Sequence, residues 1–460
     1  MGSFFWGAAG VGLVAALLLD SGAATAVGAT ASVAVQSYRC VAEQPMATPR
    51  PDRPIYDLRV DIRPAEGRVI GLTKVRFTPD LSTDRLVFRL WANHRVAGAP
   101  ANRETVGTVT VGGEVVAARL TDATTLVVPL VGPAPVGQAI EASVSWELSL
   151  RAWRGDRISS TGFGLNAAVR LGSFFPILAW EPGRGWVLDP PIRGRTETST
   201  TPTADFVTTV TVPDGLSVMA TGVADVGGRI FTATAVRDVA VSVGRFRVAT
   251  GVAHAPDAVQ VIVGVHAGLA DDPAAYVRRV VAALESQARR FGPYPWPQYS
   301  LALTPDLVGG IEYPMHVMQG PNSIGRSTPH EVGHMWFYSL VGNDQGADPW
   351  LDEGLATWAE VGSEGTLGAF LAKVVPPEGK GHLGDPMTYW DAHPAAYYRS
   401  VYVQGTQALA SLGRPAEVDC ALRDYVVANA FGIAHPVDLV RSLRKFFPGA
   451  DQSLARYLVP

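Results

Sequence analysis

The stretch STPHEVGHMW, residues 327–336, decides how the rest of this chain is interpreted. It places His330 and His334 four residues apart, so that on a helix both imidazoles project from one face, one turn apart. Two imidazoles at this spacing can bind one Zn²⁺ ion. Glu331 lies beside them, where a carboxylate can accept a proton from a water molecule on the metal. The stretch therefore suggests a zinc hydrolase.

The same stretch is also compatible with an ordinary helix start. Thr328 suits the N-cap, Pro329 suits the first turn, and Glu331 could reach back to the Thr328 amide as the partner in a capping box. In that interpretation the histidines are incidental. The choice depends on whether the chain supplies a third metal ligand.

A candidate third ligand lies on the next predicted helix, in the stretch DPWLDEGLATWAE, residues 348–360. Glu353 follows His334 with eighteen residues between them. Catalytic zinc sites use three protein ligands and leave a further position for water. We therefore predict that His330, His334 and Glu353 bind zinc and that Glu331 is the general base.

The chain of 460 residues is too long for one ordinary core, and its pattern changes part-way along. Over residues 56–248, short segments such as YDLRVDIRP and FVTTVTVPDG alternate apolar and polar residues, which predicts antiparallel strands in a sandwich or saddle. Helical spacing then begins with a helix capped by Asp272 and dominates beyond Pro329. We predict an α+β fold with a β-rich N-terminal domain, residues 48–252, and a catalytic domain, residues 256–460.

Composition bears on partners and on compartment. A net charge of −4 and a pI near 6.2 give no basic surface for nucleic acid. The apolar run at residues 5–19 has the length of a signal-peptide core, and residues 1–31 end in small residues that suit cleavage, although no Lys or Arg precedes the run. We expect a secreted or cell-surface protein, with an uncleaved membrane anchor as the alternative. Cys40 and Cys420 could form one disulfide or remain unrelated thiols.

Four motifs make the chain resemble the aminopeptidase-N family of gluzincin zinc metallopeptidases. They are GGIEYP, HEVGHMWFYSLVG, WLDEGLATWAE and YVQG, and the likeness is strong over residues 291–412 and weaker over the β region. The resemblance implies a thermolysin-like, mostly helical catalytic domain with one zinc ion on His330, His334 and Glu353. It also implies that Glu331 is the base and that the substrates are peptides with a free N-terminus.

The motif GGIEYP stands in the place of the family's glycine-rich exopeptidase motif. By the resemblance, Glu312 pairs with the α-ammonium of the substrate, and Gly309 and Gly310 leave the strand edge open to the substrate backbone. Ile311 and Tyr313 depart from the commonest form of the motif. The alternative for Glu312 is a charge that protects an edge strand from aggregation.

A tyrosine three residues before a glycine supplies a transition-state phenol in this family. The resemblance assigns that role to Tyr402, which precedes Gly405, with Tyr397 and Tyr398 as alternatives. Glu360 shares a helix face with Glu353 and is either a partner of the metal site or a solvated charge.

Two departures from the family pattern affect the expected substrate. Residues 171–189 do not show the family's second polar anchor for the substrate amine. The large C-terminal helical domain of many relatives has no counterpart, so we expect an open cleft that admits longer peptides. A zinc endopeptidase, or a non-catalytic surface binding protein with a vestigial zinc site, are the alternatives to an aminopeptidase.

Overall fold

The computed structural model describes residue 40 and residues 45–94, 102–152, 157–189, 191–192 and 200–457. The predicted signal peptide or anchor, residues 1–31, lies outside the described residues. In the part that is described, we find no helix with the length and apolar character needed to cross a membrane.

The first strand shows why the first half of the chain folds into sheets. Tyr56, Leu58, Val60 and Ile62 are buried, while the residues between them are more exposed. Burying an apolar side chain of this size stabilises the fold by about 1.5–3 kcal/mol. This alternation commits one face of the strand to the core.

The strands of the first half follow one another closely. In chain order they are β1 (Ile55–Arg63), β2 (Arg68–Phe77), β3 (Thr83–Arg89), β4 (Arg103–Val111), β5 (Glu114–Val115), β6 (Arg119–Asp122), β7 (Thr125–Ala134), β8 (Ile140–Ser149), β9 (Ser159–Ser160), β10 (Val169–Gly172), β11 (Ile177–Leu178), β12 (Trp180–Glu181), β13 (Gly185–Trp186), β14 (Ala204–Thr211), β15 (Ser217–Ala220), β16 (Val223–Ala224), β17 (Ile230–Val236) and β18 (Ala240–Gly244).

These strands form an eight-stranded sheet in the order β16-β17-β14-β1-β2-β8-β4-β5 and two four-stranded sheets, β15-β18-β10-β9 and β11-β3-β7-β6. Strands β12 and β13 pair as a small ribbon. The described pairs are antiparallel, as predicted, except that β1 and β14 run parallel. That exception follows from the long stretch of chain between the two strands, which can return in the same direction.

A separate five-stranded sheet positions the GGIEYP motif. Its strands are β19 (Phe246–His254), β20 (Ala258–His266), β21 (Gln298–Leu303), β22 (Gly310–Tyr313) and β23 (His316–Gln319), in the order β19-β20-β21-β23-β22. Because β22 lies at the edge, its outer side is available for another strand. Strand β19 begins ahead of the predicted domain boundary, which stays a prediction.

The rest of the second half is mostly helical, as predicted. The helices are α1 (Pro273–Phe291), α2 (Ser327–Gly333), α3 (Pro349–Glu364), α4 (Leu367–Leu371), α5 (Met387–Ala392), α6 (Gln404–Ala410), α7 (Pro415–Asn429), α8 (Pro436–Phe446) and α9 (Ala450–Ala455), and a two-residue ribbon pairs β24 (Gly342–Asn343) with β25 (Ile433–Ala434). Asp272 caps α1 as predicted, since its carboxylate accepts hydrogen bonds from the amides of Ala274 and Ala275.

Helix α2 begins at Ser327, two residues earlier than the capping interpretation requires. Arg326, before the helix, already has helical backbone angles, so Thr328 lies within the first turn and is not the N-cap. The Thr328 hydroxyl is fully buried and hydrogen-bonds the Gln319 side chain instead. The predicted cap at Thr328 is therefore wrong. Pro329 is tolerated because a first-turn residue needs no backbone N–H donor.

Helix α3 begins where the sequence predicts. Asp348 occupies the N-cap position and Pro349 is the first helical residue. Among the described groups, however, the Asp348 carboxylate accepts no capping hydrogen bond. The left-handed Gly365 ends the helix.

The two cysteines form a disulfide that ties residue 40 to helix α7. Cys40 and Cys420 are 380 residues apart in sequence, and their Cα atoms lie 5.3 Å apart. The sequence left this pairing open, since spacing along the chain gives no measure of distance in space.

Reducing this disulfide is expected to lower the free energy of unfolding by about 2–5 kcal/mol, because the open chain has far more unfolded conformations than the closed loop. Denaturant unfolding with and without a thiol reductant measures the difference. A Cys420→Ser variant is the control and should not respond to the reductant. An unfolding midpoint of the unsubstituted chain that is the same in both conditions would contradict the expectation.

Candidate metal centre

The three predicted ligands converge. The Nε2 atoms of His330 and His334 are 3.1 Å apart, and Glu353 Oε2 lies 3.1 Å from the first and 3.5 Å from the second. Donor atoms held 2.0–2.1 Å from one Zn²⁺ at tetrahedral angles lie about 3.3 Å from each other. The three atoms thus match one face of a zinc tetrahedron.

Carboxylates hold the other nitrogen of each imidazole. His334 Nδ1 is 2.6 Å from Asp352 Oδ1, and Gln345 donates a hydrogen bond to the second oxygen of Asp352. His330 Nδ1 is 3.4 Å from Glu360 Oε2. Such pairs fix the ring orientation and leave Nε2 for a metal. Glu360 is nearly fully buried, so it is a partner of the site and not a solvated charge.

The electrostatics of the site favour a cation. Burial lowers the pKa of His330, but its hydrogen bonds to Glu353 and Glu360 outweigh that effect and raise the pKa to about 10. Burial raises the pKa of Glu353, yet hydrogen bonds from His330 and His334 hold it below its usual range. The carboxylates therefore stabilise positive charge at the imidazoles, which is the charge that a divalent ion brings.

Glu331 is placed to handle a proton. Its side chain is buried, and within the described part of the chain its Oε2 has no hydrogen-bond partner. The capping-box role of Glu331 is therefore wrong. Burial raises the pKa of Glu331 to about 7. A general base works best when its pKa lies near the working pH.

Glu312 lies at the edge of the metal site. Its Oε1 is 3.8 Å from His334 Nδ1, and burial raises the pKa of Glu312 well above its usual value. The side chain is only 6% exposed, so it does not act as a solvent-facing guard of the strand edge. Gly310 is required here because a Cβ would collide with the Glu331 carboxylate. Gly309 has a φ of +77°, which favours glycine.

Tyr402 covers the metal site from the opposite wall. It lies in a π-helical turn, Arg399–Val403, and its ring stacks on the imidazole of His330 at 5.6 Å between centres. Burial, together with Glu353, raises its pKa well above the usual value, so the hydroxyl remains a donor. Of the alternatives, Tyr398 also lines the cleft, whereas Tyr397 packs edge-on against the Tyr402 ring.

All the predicted site residues line one cavity of about 350 Å³. The lining residues are Val308, Gly309, Gly310, Glu312, Arg326, Ser327, His330, Glu331, His334, Glu353, Glu360, Tyr398 and Tyr402.

Comparisons with known sequences find relatives for parts of the chain. No family model matches it. The mouse aminopeptidase RNPEPL1 is 26% identical over 208 residues, which cover 36% of this chain and 27% of that protein. Rat aminopeptidase B is 33% identical over 85 residues, which cover 17% of this chain and 13% of that protein. Leukotriene A-4 hydrolase from Xenopus laevis is 34% identical over 84 residues, covering 16% and 14%. The chain thus spans about a quarter or less of these relatives' lengths.

Comparison with solved structures covers almost the whole chain. The M1 zinc metallopeptidase of Deinococcus radiodurans superposes with a TM-score of 0.63 and 21% identity, over 88% of this chain and 93% of that one. A substituted form of that protein, bound to a Tyr-Ser-Ala substrate, superposes with a TM-score of 0.65 and 20% identity over the same shares of the two chains. This confirms the predicted α+β fold. Parts of the chain are therefore similar in sequence to aminopeptidases, and its fold is that of an M1 zinc metallopeptidase.

One feature of the aminopeptidase-N pattern remains unmatched. Residues 171–189 contribute no side chain to the described cavity lining, so no second polar anchor for a substrate amine comes from that segment.

Sequence reasoning missed Asp352 and Gln345 as parts of the site. Asp352 is completely buried on α3 beside the ligand Glu353. The available signal was its position in an otherwise apolar turn, since a carboxylate there needs a partner.

Replacing Asp352 with Asn is expected to lower zinc affinity about 10–100-fold. The neutral amide makes a weaker hydrogen bond to His334 Nδ1, so the imidazole is less firmly oriented and its Nε2 is less basic. Competition with a chelator of known affinity measures the change. A Glu364→Gln variant, altered at the far end of α3, should keep the original affinity. Equal affinities for the Asp352 variant and the unsubstituted chain would show that Asp352 does not support the metal.

Proposed function

We propose that this chain is a zinc aminopeptidase that removes N-terminal residues from peptides. The observation that carries the proposal is the buried carboxylate of Glu312, on the edge strand β22 and 3.8 Å from the imidazole of the ligand His334. A buried carboxylate is stabilised in its charged form when a cation lies beside it, and the α-ammonium of a substrate would be that cation for Glu312. It also places the first peptide bond beside the zinc ligands. The aminopeptidase relatives support the same class.

The side chains of the cleft divide the work of hydrolysis. Zinc, when held by the three ligands, acts as a Lewis acid that makes water nucleophilic at neutral pH. Glu331 Oε2 takes a proton from the attacking water and returns it to the leaving amine. Tyr402 Oη donates a hydrogen bond to the oxyanion as charge develops there, which stabilises the transition state more than the substrate.

Strand β22 orients the rest of the peptide. Its outer edge is unpaired within the described sheet, so a substrate backbone can add to it as a further strand. Because Gly310 has no side chain, the Glu331 carboxylate can lie directly against the backbone of this edge strand.

Replacing Glu312 with Gln is expected to lower kcat/KM for peptides with a free amine by roughly 10²–10³-fold, since an ammonium would lose its charged partner in a buried site. Steady-state hydrolysis of one peptide in free and N-acetylated forms measures this. The unsubstituted protein should cleave the free form and leave the acetylated form intact.

The two alternatives give different outcomes in the same assay. Equal cleavage of free and acetylated peptides would indicate an endopeptidase with an open cleft. A zinc-loaded protein that cleaves neither form would indicate a binding protein with a vestigial site.

We also propose that the protein is secreted or displayed at the cell surface. The apolar run at residues 5–19 supports export, and so does the pairing of Cys40 with Cys420, because disulfides persist in oxidising compartments. N-terminal sequencing of the full chain, recovered after expression, tests this. A mature N-terminus within residues 24–32 indicates a cleaved signal peptide, whereas an intact N-terminus in the membrane fraction indicates an anchor.

A further inference from the structure

Three basic side chains gather at one end of the cleft. Arg326 lines the cavity, Lys373 Nζ lies 5.8 Å from the ring centre of the cleft-lining Tyr398, and Arg399 donates a hydrogen bond to the Val374 carbonyl. Two of the cations lie over the Phe370 ring, since Arg326 Cζ is 4.9 Å and Lys373 Nζ is 3.4 Å from its centre. We call Arg326, Lys373 and Arg399 the basic end of the cleft. The whole chain carries a net charge of −4, so this cluster is a local feature.

Arg326 has donors left for a ligand. Its Nε donates to Glu360 Oε1 and its Nη2 donates to Tyr398 Oη, both at 2.6 Å. In the described hydrogen bonds, Nη1 takes no part. The side chain is 52% exposed. The guanidinium is therefore fixed by two bonds and presents its remaining N–H groups to the cleft, the geometry that suits a carboxylate.

The single negative charge of Glu360 does not balance the positive charges of the basic end. That carboxylate is buried and also faces His330 Nδ1 at 3.4 Å. The Glu360 carboxylate is therefore shared between Arg326 and the His330 imidazole. A second anion at this end of the cleft would balance the local charge.

Helix geometry sets the order of groups along the cleft. Arg326, His330 and His334 are spaced four residues apart, and Arg326 already has helical backbone angles, so all three share one face. With a rise of 1.5 Å per residue, Arg326 lies about 6 Å from His330 and about 12 Å from His334 along the axis. Glu312 lies at the His334 end. The cleft therefore runs from an acidic end, past the metal ligands, to the basic end.

We propose that the preferred substrates are short peptides with a free C-terminal carboxylate, and that Arg326 determines this specificity by binding the carboxylate. The inference rests on the proposed aminopeptidase function. A peptide whose amine is at Glu312 has its first bond beside the metal ligands and extends toward Arg326. Arg326 lies one helical turn beyond the ligand His330, on the side away from Glu312, so the chain that follows the first bond runs toward its guanidinium.

The test compares trialanine with trialanine amide on the zinc-loaded full chain. The two peptides differ only in the C-terminal charge, so the ratio of their kcat/KM values isolates its recognition. We expect the acid to be preferred by about 10–100-fold, the range for hydrogen bonds between charged groups. Arg326→Gln should bring this ratio close to one. The control Arg278→Gln removes an exposed arginine of α1 and should keep the preference.

The ratio separates recognition from a merely structural role. If Arg326 only braced Glu360 and the metal site, its loss would slow both peptides equally and leave the ratio unchanged, which would overturn the proposal. Equal cleavage of the acid and the amide by the unsubstituted protein would overturn it as well, and would leave the aminopeptidase function intact.

A binding measurement does not depend on turnover. Calorimetric titration of zinc-loaded Glu331→Gln protein should show tighter binding of trialanine than of its amide, and adding Arg326→Gln should remove the difference. If neither peptide is cleaved by the unsubstituted chain but this binding difference is found, carboxylate recognition stands and the proposed catalytic function fails.

Discussion

Replacing Glu331 with Gln is expected to lower kcat by roughly 10²–10⁴-fold, the usual contribution of a positioned general base. Gln has nearly the same shape as Glu but cannot take a proton from the attacking water. The Glu331 carboxylate is buried and its Oε2 has no hydrogen-bond partner among the described residues, so this oxygen is free to accept a proton. Steady-state hydrolysis of an aminoacyl reporter amide measures kcat.

The zinc content of this variant is the decisive control. Glu331 is not one of the three converging ligands, so metal analysis should find about one zinc per chain in both proteins. Normal zinc content with lost turnover assigns the effect to proton transfer. Full activity in the Gln variant would refute the assignment of Glu331 as the base.

Replacing Glu353 with Ala is expected to remove zinc and activity together. The change leaves two imidazoles, and a site with two protein ligands competes poorly with a chelator. The loss of affinity should exceed the roughly 10–100-fold effect expected for an outer partner such as Asp352. Zinc content after dialysis against a mild chelator measures the loss, and turnover should return only when zinc is added in excess.

A second cluster in the cleft makes this experiment discriminating. Glu312, Glu331 and His334 also bring three potential ligand atoms together. The His334 Nδ1 that faces Glu312 at 3.8 Å is already 2.6 Å from Asp352, whereas His334 Nε2 lies beside His330 and Glu353. We therefore expect Glu312→Gln to keep zinc and Glu353→Ala to lose it. The opposite result would move the metal to the second cluster.

The sequence allowed the metal ligands to be predicted because their signal is local. His330 and His334 share a face by helical periodicity alone, and Glu353 stands at a fixed distance along the chain on the next helix. The order of a β-rich half and a mostly helical half was also readable, since alternation and helical spacing are properties of short segments.

The same local reasoning failed where a partner outside the helix competed for the capping side chain, or where the capping hydrogen bond did not form. Thr328 fits the preferences of an N-cap, but its hydroxyl bonds Gln319 on strand β23 and the helix starts before it. Asp348 occupies its predicted cap position without a capping hydrogen bond in the described structure. The hydrogen-bond partner of a side chain depends on how the helices and strands pack, and a residue's local preference for a capping position does not include that packing.

The sequence by itself therefore determined the α+β fold class, and it predicted the three candidate ligands and the candidate base, which follow from spacing within neighbouring elements. The tertiary structure decided that Cys40 meets Cys420, that Asp352 and Glu360 hold the imidazoles, and that Arg326 faces the cleft opposite Glu312. The physical reason is that these contacts join segments whose separation in space is set only by the packing of helices against the edge of a sheet.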